Sequence, residues 1–245
     1  RAESDETDCF LVPKLLEKHG AHGVAQLDGV FAFVAWNKKT KQVVVARDPI
    51  GVIPLYYSES NVFSSLLAAM PKDSPVHIVP PGTVAAFQAG ESPEFVSYIQ
   101  PYSDWSVTDG SPPGGIVATV RTAVSKRLSG DVPWGVLLSG GLDSTIVAAL
   151  AVKLAREQRP DYPVVHSFCI GLRDSPDIAV AKQVAAEIGT HHVSIEYTVE
   201  EGLLALRDVI RAIETYDLTT VRASTPMWIL GRRLKARGIK MVLSG

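Results

Sequence analysis

Over the first hundred residues the apolar positions come in short runs, whereas beyond about residue 115 they recur at every third or fourth position. The early runs read as strands. Residues 31–36 (Phe-Ala-Phe-Val-Ala-Trp) and 42–46 (Gln-Val-Val-Val-Ala) flank a polar stretch at 37–41, a spacing suited to a β-hairpin. Further strands are expected at 53–57, 76–79 and 83–87, with Pro80-Pro81-Gly82 turning the chain between the last two. A helix is expected over 8–19, closed by Gly20. Pro13 fits it only in the first turn, because an interior proline costs about 3 kcal/mol.

In the second half, Ile116, Val120, Val124 and Leu128 stand four apart and predict one apolar stripe on a helix. A strand at 136–138, a helix over 142–156 and a strand at 164–170 follow. Ser175-Pro176 opens a helix that Gly189 closes. After a strand at 192–197, Thr198 and Glu201 have capping-box spacing before a helix to about Thr215. Thr225-Pro226 then opens a last helix, ended by Gly238, and 239–243 is a strand. Apolar strands alternating with helices imply a parallel sheet covered on both faces. Residues 103–115, rich in Ser, Gly and Pro, separate the halves. The expected organisation is a domain at 1–105, a linker at 106–115 and a second domain at 116–245.

Composition changes this picture little. Of 245 residues, 24 are Lys or Arg and 26 are Asp or Glu, so a net charge of -2 gives no reason to expect a nucleic-acid partner. No apolar run approaches the roughly 20 residues of a membrane helix, so no membrane is expected either. Two cysteines make no disulfide framework, which sets the expectation of a cytoplasmic protein. Cys9 and Cys169 are expected to be packed thiols, and His191-His192 to be solvated or satisfied.

The segment that carries chemistry is Val136-Leu137-Leu138-Ser139-Gly140-Gly141-Leu142-Asp143-Ser144-Thr145, a buried strand entering a helix through Ser-Gly-Gly. Free backbone N–H groups and the helix dipole make an anion site at such a junction. Two glycines let the backbone approach a phosphate. Ser139 and Ser144 can each offer a hydroxyl, and Asp143 can hold a divalent metal that bridges phosphate oxygens. The lysine of a Walker loop is missing, and so is GxGxxG. An ordinary tight turn with a capping serine is the alternative. The strands at 136–138 and 239–243 both end in Ser-Gly, and ligands of open parallel sheets sit outside the carboxyl ends of the strands. Arg222, in a Thr-rich segment, offers a planar fork to a carboxylate or phosphate; a surface ion pair with Asp217 or Glu214 is its alternative.

The Ser139–Ser144 motif resembles the PP-loop of ATP pyrophosphatases. Together with Ser167-Phe168-Cys169-Ile170-Gly171-Leu172, the segment 213–224 (Ile-Glu-Thr-Tyr-Asp-Leu-Thr-Thr-Val-Arg-Ala-Ser) and the closing Lys240-Met241-Val242-Leu243-Ser244-Gly245, it is similar to glutamine-dependent asparagine synthetases. Leu27-Asp28-Gly29-Val30-Phe31-Ala32-Phe33 and the segment 46–57 are similar to the second half of that family's class II glutaminase domain. The resemblance implies an α+β and an α/β part: a partial N-terminal-nucleophile-type αββα sandwich, then a parallel-sheet PP-loop domain of the adenine nucleotide α-hydrolase-like kind. It implies aspartate, glutamine and ATP as substrates, magnesium, a β-aspartyl-AMP intermediate, and a possible homodimer. Ser139, Gly140, Gly141, Asp143 and Ser144 would hold pyrophosphate and magnesium. Leu138, Ile170, Ser244 and Gly245 would border the adenosine and α-phosphate, and Thr219, Thr220 and Arg222 the aspartyl-adenylate. Asp8 matches the position that grips the amino group of glutamine.

Position 1 is Arg, where the family's glutaminase has its nucleophilic cysteine, and the family's acidic run would come after Gly245. The expectation is an internal segment of a longer enzyme, inactive in glutamine-dependent synthesis on its own. Two other readings stay open: a β-lactam-forming synthetase, or a non-catalytic nucleotide-binding protein.

Overall fold

The computed structural model describes residues 8–99, 115–128, 132–158, 161 and 164–245. The chain divides into two units, Arg1–Val107 and Thr108–Gly245. The expected linker lies outside the described residues except for Gly115.

In the first unit a 3-10 turn, Asp8–Phe10, leads into α1 (Leu11–His19). Pro13 is the third residue of α1, where its missing N–H has no intrahelical acceptor to lose. Gly20 ends the helix at φ +60. β1 (Ala32–Asn37) and β2 (Gln42–Arg47) form the expected hairpin, its turn tied by Asn37 Oδ1, which accepts from the N–H groups of Lys39 and Thr40. There follow β3 (Tyr56–Ser58), β4 (Phe63–Ser64), β5 (Val76–Ile78), β6 (Thr83–Gln88) and β7 (Val96–Ser97). They make two antiparallel sheets, ordered β1-β2-β6-β7 and β4-β3-β5. Val45 packs with Leu55, Val79, Ala85 and Phe87, while Val44 and Ala46 pack with Val24, Val84 and Leu16. β2 is thus buried on both faces, which is why its apolar run does not alternate.

The expected strand at 53–57 begins only at Tyr56. Arg47 takes two carbonyls before it and one beyond β5: Nε donates to Ile53 O (2.8 Å), Nη2 to Gly51 O (2.7 Å) and Nη1 to Val79 O (2.8 Å). Pro54 has no N–H to give a ladder. Next to it the buried Asp48 accepts from the N–H groups of Ile50, Gly51 and Val52. Tyr98 donates its hydroxyl to Arg47 O, and burial, with the negative charge of Asp48 second, pushes its phenol up to about 12. The expectation of two packed cysteines needs correcting at Cys9, which is exposed because it falls in the 3-10 turn ahead of α1; Cys169 is buried.

The second unit comprises α2 (Gly115–Arg127), β8 (Trp134–Leu137), α3 (Leu142–Gln158), β9 (His166–Leu172), α4 (Pro176–Ile188), β10 (His191–Tyr197), α5 (Val199–Ile213), α6 (Leu218–Ala236) and β11 (Met241–Leu243). Its sheet is ordered β10-β9-β8-β11, every neighbouring pair parallel. The expected change from an antiparallel β half to a parallel α/β half is borne out. Trp134, Val136 and Leu138 pack with residues of α2, α3 and α4 on one face. Leu230 and Leu234 of α6 join Phe168 and Ile195 on the other.

Three details depart from the sequence reading. Val124 and Leu128 are buried and Val120 partly so, but Ile116 is 74% exposed, since only the later turns of α2 reach the core. Ser175 stands at the cap position of α4 without a capping bond, and Pro176 alone marks the start. The largest departure is α6, which begins at Leu218 with Pro226 inside it. Its cap is Asp217, whose Oδ2 accepts from both the N–H and the hydroxyl of Thr220 at 2.7 Å. Those bonds, the one from the Thr220 N–H foremost, hold the Asp217 carboxyl below the usual carboxylate range. The capping box of α5 is present in full, Thr198 Oγ1 accepting from Glu201 N–H and Glu201 from Thr198 N–H.

Beneath α4, Ser167 Oγ lies 2.7 Å from Thr190 Oγ1 and 2.8 Å from His192 Nδ1, and His192 Nε2 lies 3.4 Å from Cys169 Sγ. Burial, and then the charge of Lys182, hold His192 below the ordinary histidine range. A base depressed in the folded state stabilises the fold above its unfolded value, and that contribution is lost as pH falls through the folded one. Urea midpoints of this chain are therefore expected to fall between about pH 7.5 and about pH 5.5, less so for His192→Asn. An identical profile for the variant would remove His192 as the cause.

Candidate functional site

The carboxyl edge of the parallel sheet is stepped. Leu137, the last residue of β8, pairs with Phe168, while β9 and β10 run on together to Leu172 and Tyr197. Four further residues at about 3.3 Å each raise that side by about 13 Å. At the foot of the step lies the Ser139-Gly140-Gly141 turn. Leu138, whose side chain is in the core, donates its N–H to Phe168 O (2.8 Å), so this residue offers the edge backbone only. Gly140 has φ +83, and a Cβ there would sit 2.6 Å from Val180 Cγ1 and 3.2 Å from the Ala181 nitrogen. The turn is therefore seated against α4, and both its backbone angle and its space require glycine. Gly141 meets only Ser139 Oγ, at 3.4 Å.

Within the turn, Ser139 and Ser144 lie together, Oγ to Oγ 3.0 Å, and Ser139 N–H donates to Ser144 Oγ at 3.3 Å. Asp143 is the second residue of α3, exposed, where the free N–H groups of the helix gather. Gly245 comes to the same place from β11: a Cβ on it would collide with the backbone of Asp143 and Ser144. The structure thus brings Ser139, Gly140, Gly141, Asp143, Ser144 and the exposed Ser244-Gly245 to one point. Ile170 belongs to the α6-facing core beside Phe168 and Ile195.

Thr219, Thr220 and Arg222 arrive by another route. Leu230 and Leu234 rest on the sheet, and the Thr225 methyl lies 3.8 Å from where a Cβ on Gly202 would be, beside Tyr197 at the end of β10. α6 therefore runs from the carboxyl edge toward the amino edge. Its first residue precedes Thr225 by seven, about 10 Å of helix, so its first turn stands beyond the strand ends. These three residues lie in that first turn and the one after, not ahead of the helix. All three are exposed. Arg222 has no ion pair with Asp217 or Glu214 among the described residues. No hydrogen bond joins them to the Ser139 turn among the described residues. Asp8 is in the first unit, at the start of its 3-10 turn.

Sequence reasoning missed Asp217, Val180 and Thr145. Asp-Leu-Thr-Thr holds the cap signal of Asp217, but Val180 has no local signature, because its role is to limit Gly140. Thr145 Oγ1 is buried without a hydrogen-bond partner, one residue past Ser144. Among the described residues no group of three or more His, Cys, Asp or Glu could hold a metal, and no helix is long and apolar enough to cross a membrane.

A family model described as asparagine synthase matches residues 115–245, and one described as a glutamine amidotransferase domain matches residues 2–72. A probable glutamine-hydrolysing asparagine synthetase of Dictyostelium discoideum is 43% identical over 261 residues, covering 98% of this chain and 46% of that protein. The glutamine-hydrolysing asparagine synthetase B of Escherichia coli is 40% identical over 256 residues, covering 98% and 45%. The chain spans less than half the length of these relatives. Among solved structures, an NH3-dependent NAD synthetase from Campylobacter jejuni is similar over 53% of this chain and 55% of that one, with a TM-score of 0.36 and 17% identity.

Proposed function

The chain belongs to the asparagine synthase family, and from that premise we propose that it carries the central part of an enzyme making asparagine from aspartate, ATP and glutamine. The observation that supports this most is the meeting of Gly245 with Asp143 and Ser144 at the carboxyl edge of the parallel sheet. Two strand ends there enclose one spot lined by backbone N–H groups, two hydroxyls and one carboxylate. In this reading residues 116–245 belong to the adenylating domain and 1–105 to the domain that releases ammonia from glutamine, with Asp8 gripping the glutamine amino group.

The β- and γ-phosphates of ATP would lie on the Ser139-Gly140-Gly141 turn and the start of α3, where helix N–H groups and the dipole favour negative charge. A magnesium ion fits the donor set: it takes few protein ligands and fills its shell with phosphate oxygens and water, so the single carboxylate of Asp143 suffices. It would supply charge neutralisation of the departing pyrophosphate. Leu138, Ile170, Ser244 and Gly245 would border the adenosine and α-phosphate. Arg222, exposed and without an ion-pair partner in its own helix, would hold a carboxylate or the α-phosphate in its fork. Thr220 spends its hydroxyl proton on Asp217, so it keeps the cap of α6 in place, while Thr219 is free to meet the adenylate. A cytoplasmic homodimer belongs to the same reading.

The test is the protein at its full length, supplied with MgATP, aspartate and glutamine. AMP, pyrophosphate and asparagine are expected in equal amounts. ATP consumption without AMP, or AMP formed with no dependence on aspartate, would overturn the reading.

A further inference from the structure

The hydroxyl protons of the Ser139 turn can be counted. A serine has one to give. Ser144 gives its proton to Gly141 O at 3.1 Å. Ser139 then gives its own to Ser144 Oγ, 3.0 Å away. The two backbone donors turn inward as well: Gly141 N–H points to Ser139 Oγ at 3.4 Å and Ser139 N–H to Ser144 Oγ at 3.3 Å. Four donors that a phosphate would use are spent within the turn, although Ser139 and Gly141 are exposed to solvent. An anion brings acceptors only, so it cannot enter this arrangement as it stands.

We propose that Ser139 and Ser144 form a hydroxyl latch, in which Ser144 accepts from Ser139 in place of a phosphate and the Gly141 carbonyl accepts from Ser144, until a phosphate releases both. The inference rests on the reading of this turn as the pyrophosphate site and describes how that site is kept when empty. The latch keeps the backbone N–H groups converging, with Gly140 held against Val180, so the turn does not have to reorganise on binding. Entry of a phosphate oxygen rotates both side chains, and Ser139 exchanges the Ser144 hydroxyl, and Ser144 the Gly141 carbonyl, for a charged acceptor. Hydrogen bonds to charged acceptors are the stronger, and the exchange is favourable.

Such a latch has a signature in binding. Removing one serine loses a phosphate contact but also abolishes the bond that the phosphate had to break. Removing the second loses a contact with nothing returned. With inorganic pyrophosphate and magnesium titrated calorimetrically into the full-length protein, Ser139→Ala and Ser144→Ala should each weaken binding about fivefold. The double variant should weaken it about a hundredfold or more, beyond the roughly twenty-fivefold of two independent contacts. In the empty protein with 15N-glycine, Ser139→Ala should move the Gly141 amide proton upfield, a readout that also shows the variant folded. Single losses that simply multiply, or a Gly141 resonance that does not move, would overturn the latch and leave the pyrophosphate site standing. If the unsubstituted protein fails to bind pyrophosphate, the reading of the site itself is overturned.

Discussion

Replacing Arg47 by methionine is expected to lower the stability of the chain by about 3–5 kcal/mol, the cost of leaving three carbonyls without the donors that a buried guanidinium gives them. The side chain is 5% exposed and donates to three carbonyls, those of Gly51, Ile53 and Val79, which come from three points of the chain. Methionine fills similar space but leaves all three acceptors without a donor. Lysine keeps the charge but lacks the planar fork, so Arg47→Lys is expected to recover only part of the loss. Hydrogen exchange and urea unfolding of the whole chain check this, with protection at Val45 and Val79 falling in step with the global loss. A change below about 1 kcal/mol would show that water replaces the guanidinium at little cost.

Asp143→Ala should leave the fold nearly untouched and remove the chemistry. Asp143 is exposed at the start of α3, and substitutions at such sites usually change stability by no more than about 0.5 kcal/mol. If its carboxylate holds the magnesium against the phosphates, the full-length variant should release pyrophosphate from ATP at least about a hundredfold more slowly. Glutamine hydrolysis, assigned to the other half of the chain, should stay within about twofold. Pyrophosphate release and glutamine hydrolysis measured on one preparation separate the two. Retained adenylation with an unchanged urea midpoint would make Asp143 a bystander.

What could be read from the chain beforehand depended on how local each cause is. The hairpin at Asn37, the capping box of Thr198 and Glu201, and the glycine ends at Gly20 and Gly189 are fixed within a few residues, and the structure has them. So are the two Ser-Gly strand ends, and their convergence follows from parallel topology. What was not legible needed distant partners. The strand before Tyr56 is lost to a side chain from β2, and Ile116 is bare because its helix outruns its support. Arg47-Asp48-Pro49-Ile50-Gly51 carries an Asp-turn signal, but nothing local says that Arg47 will reach Val79. At the site, Ser139, Gly140 and Asp143 could be named from their motif. The seating of Gly140 on Val180 could not, because four elements of the sheet's edge must assemble first.

The misplaced start of α6 has a meaning of its own. Thr225-Pro226 reads as a beginning because proline suits the first turn of a helix, yet here it lies within α6. Pro226 gives no N–H to the Arg222 carbonyl, so one backbone bond of the helix is missing at that joint, where Thr225 Oγ1 donates to Val221 O at 2.8 Å. α6 is therefore two storeys under one roof. The lower storey, carrying Leu230 and Leu234, is owned by the sheet. The upper, with Thr219, Thr220 and Arg222, is capped by Asp217 and seated by the buried Val221 and Thr225. Substitutions in the upper storey can recast which acceptor is greeted at the sheet edge without disturbing the foundations, and selection can act on the two separately.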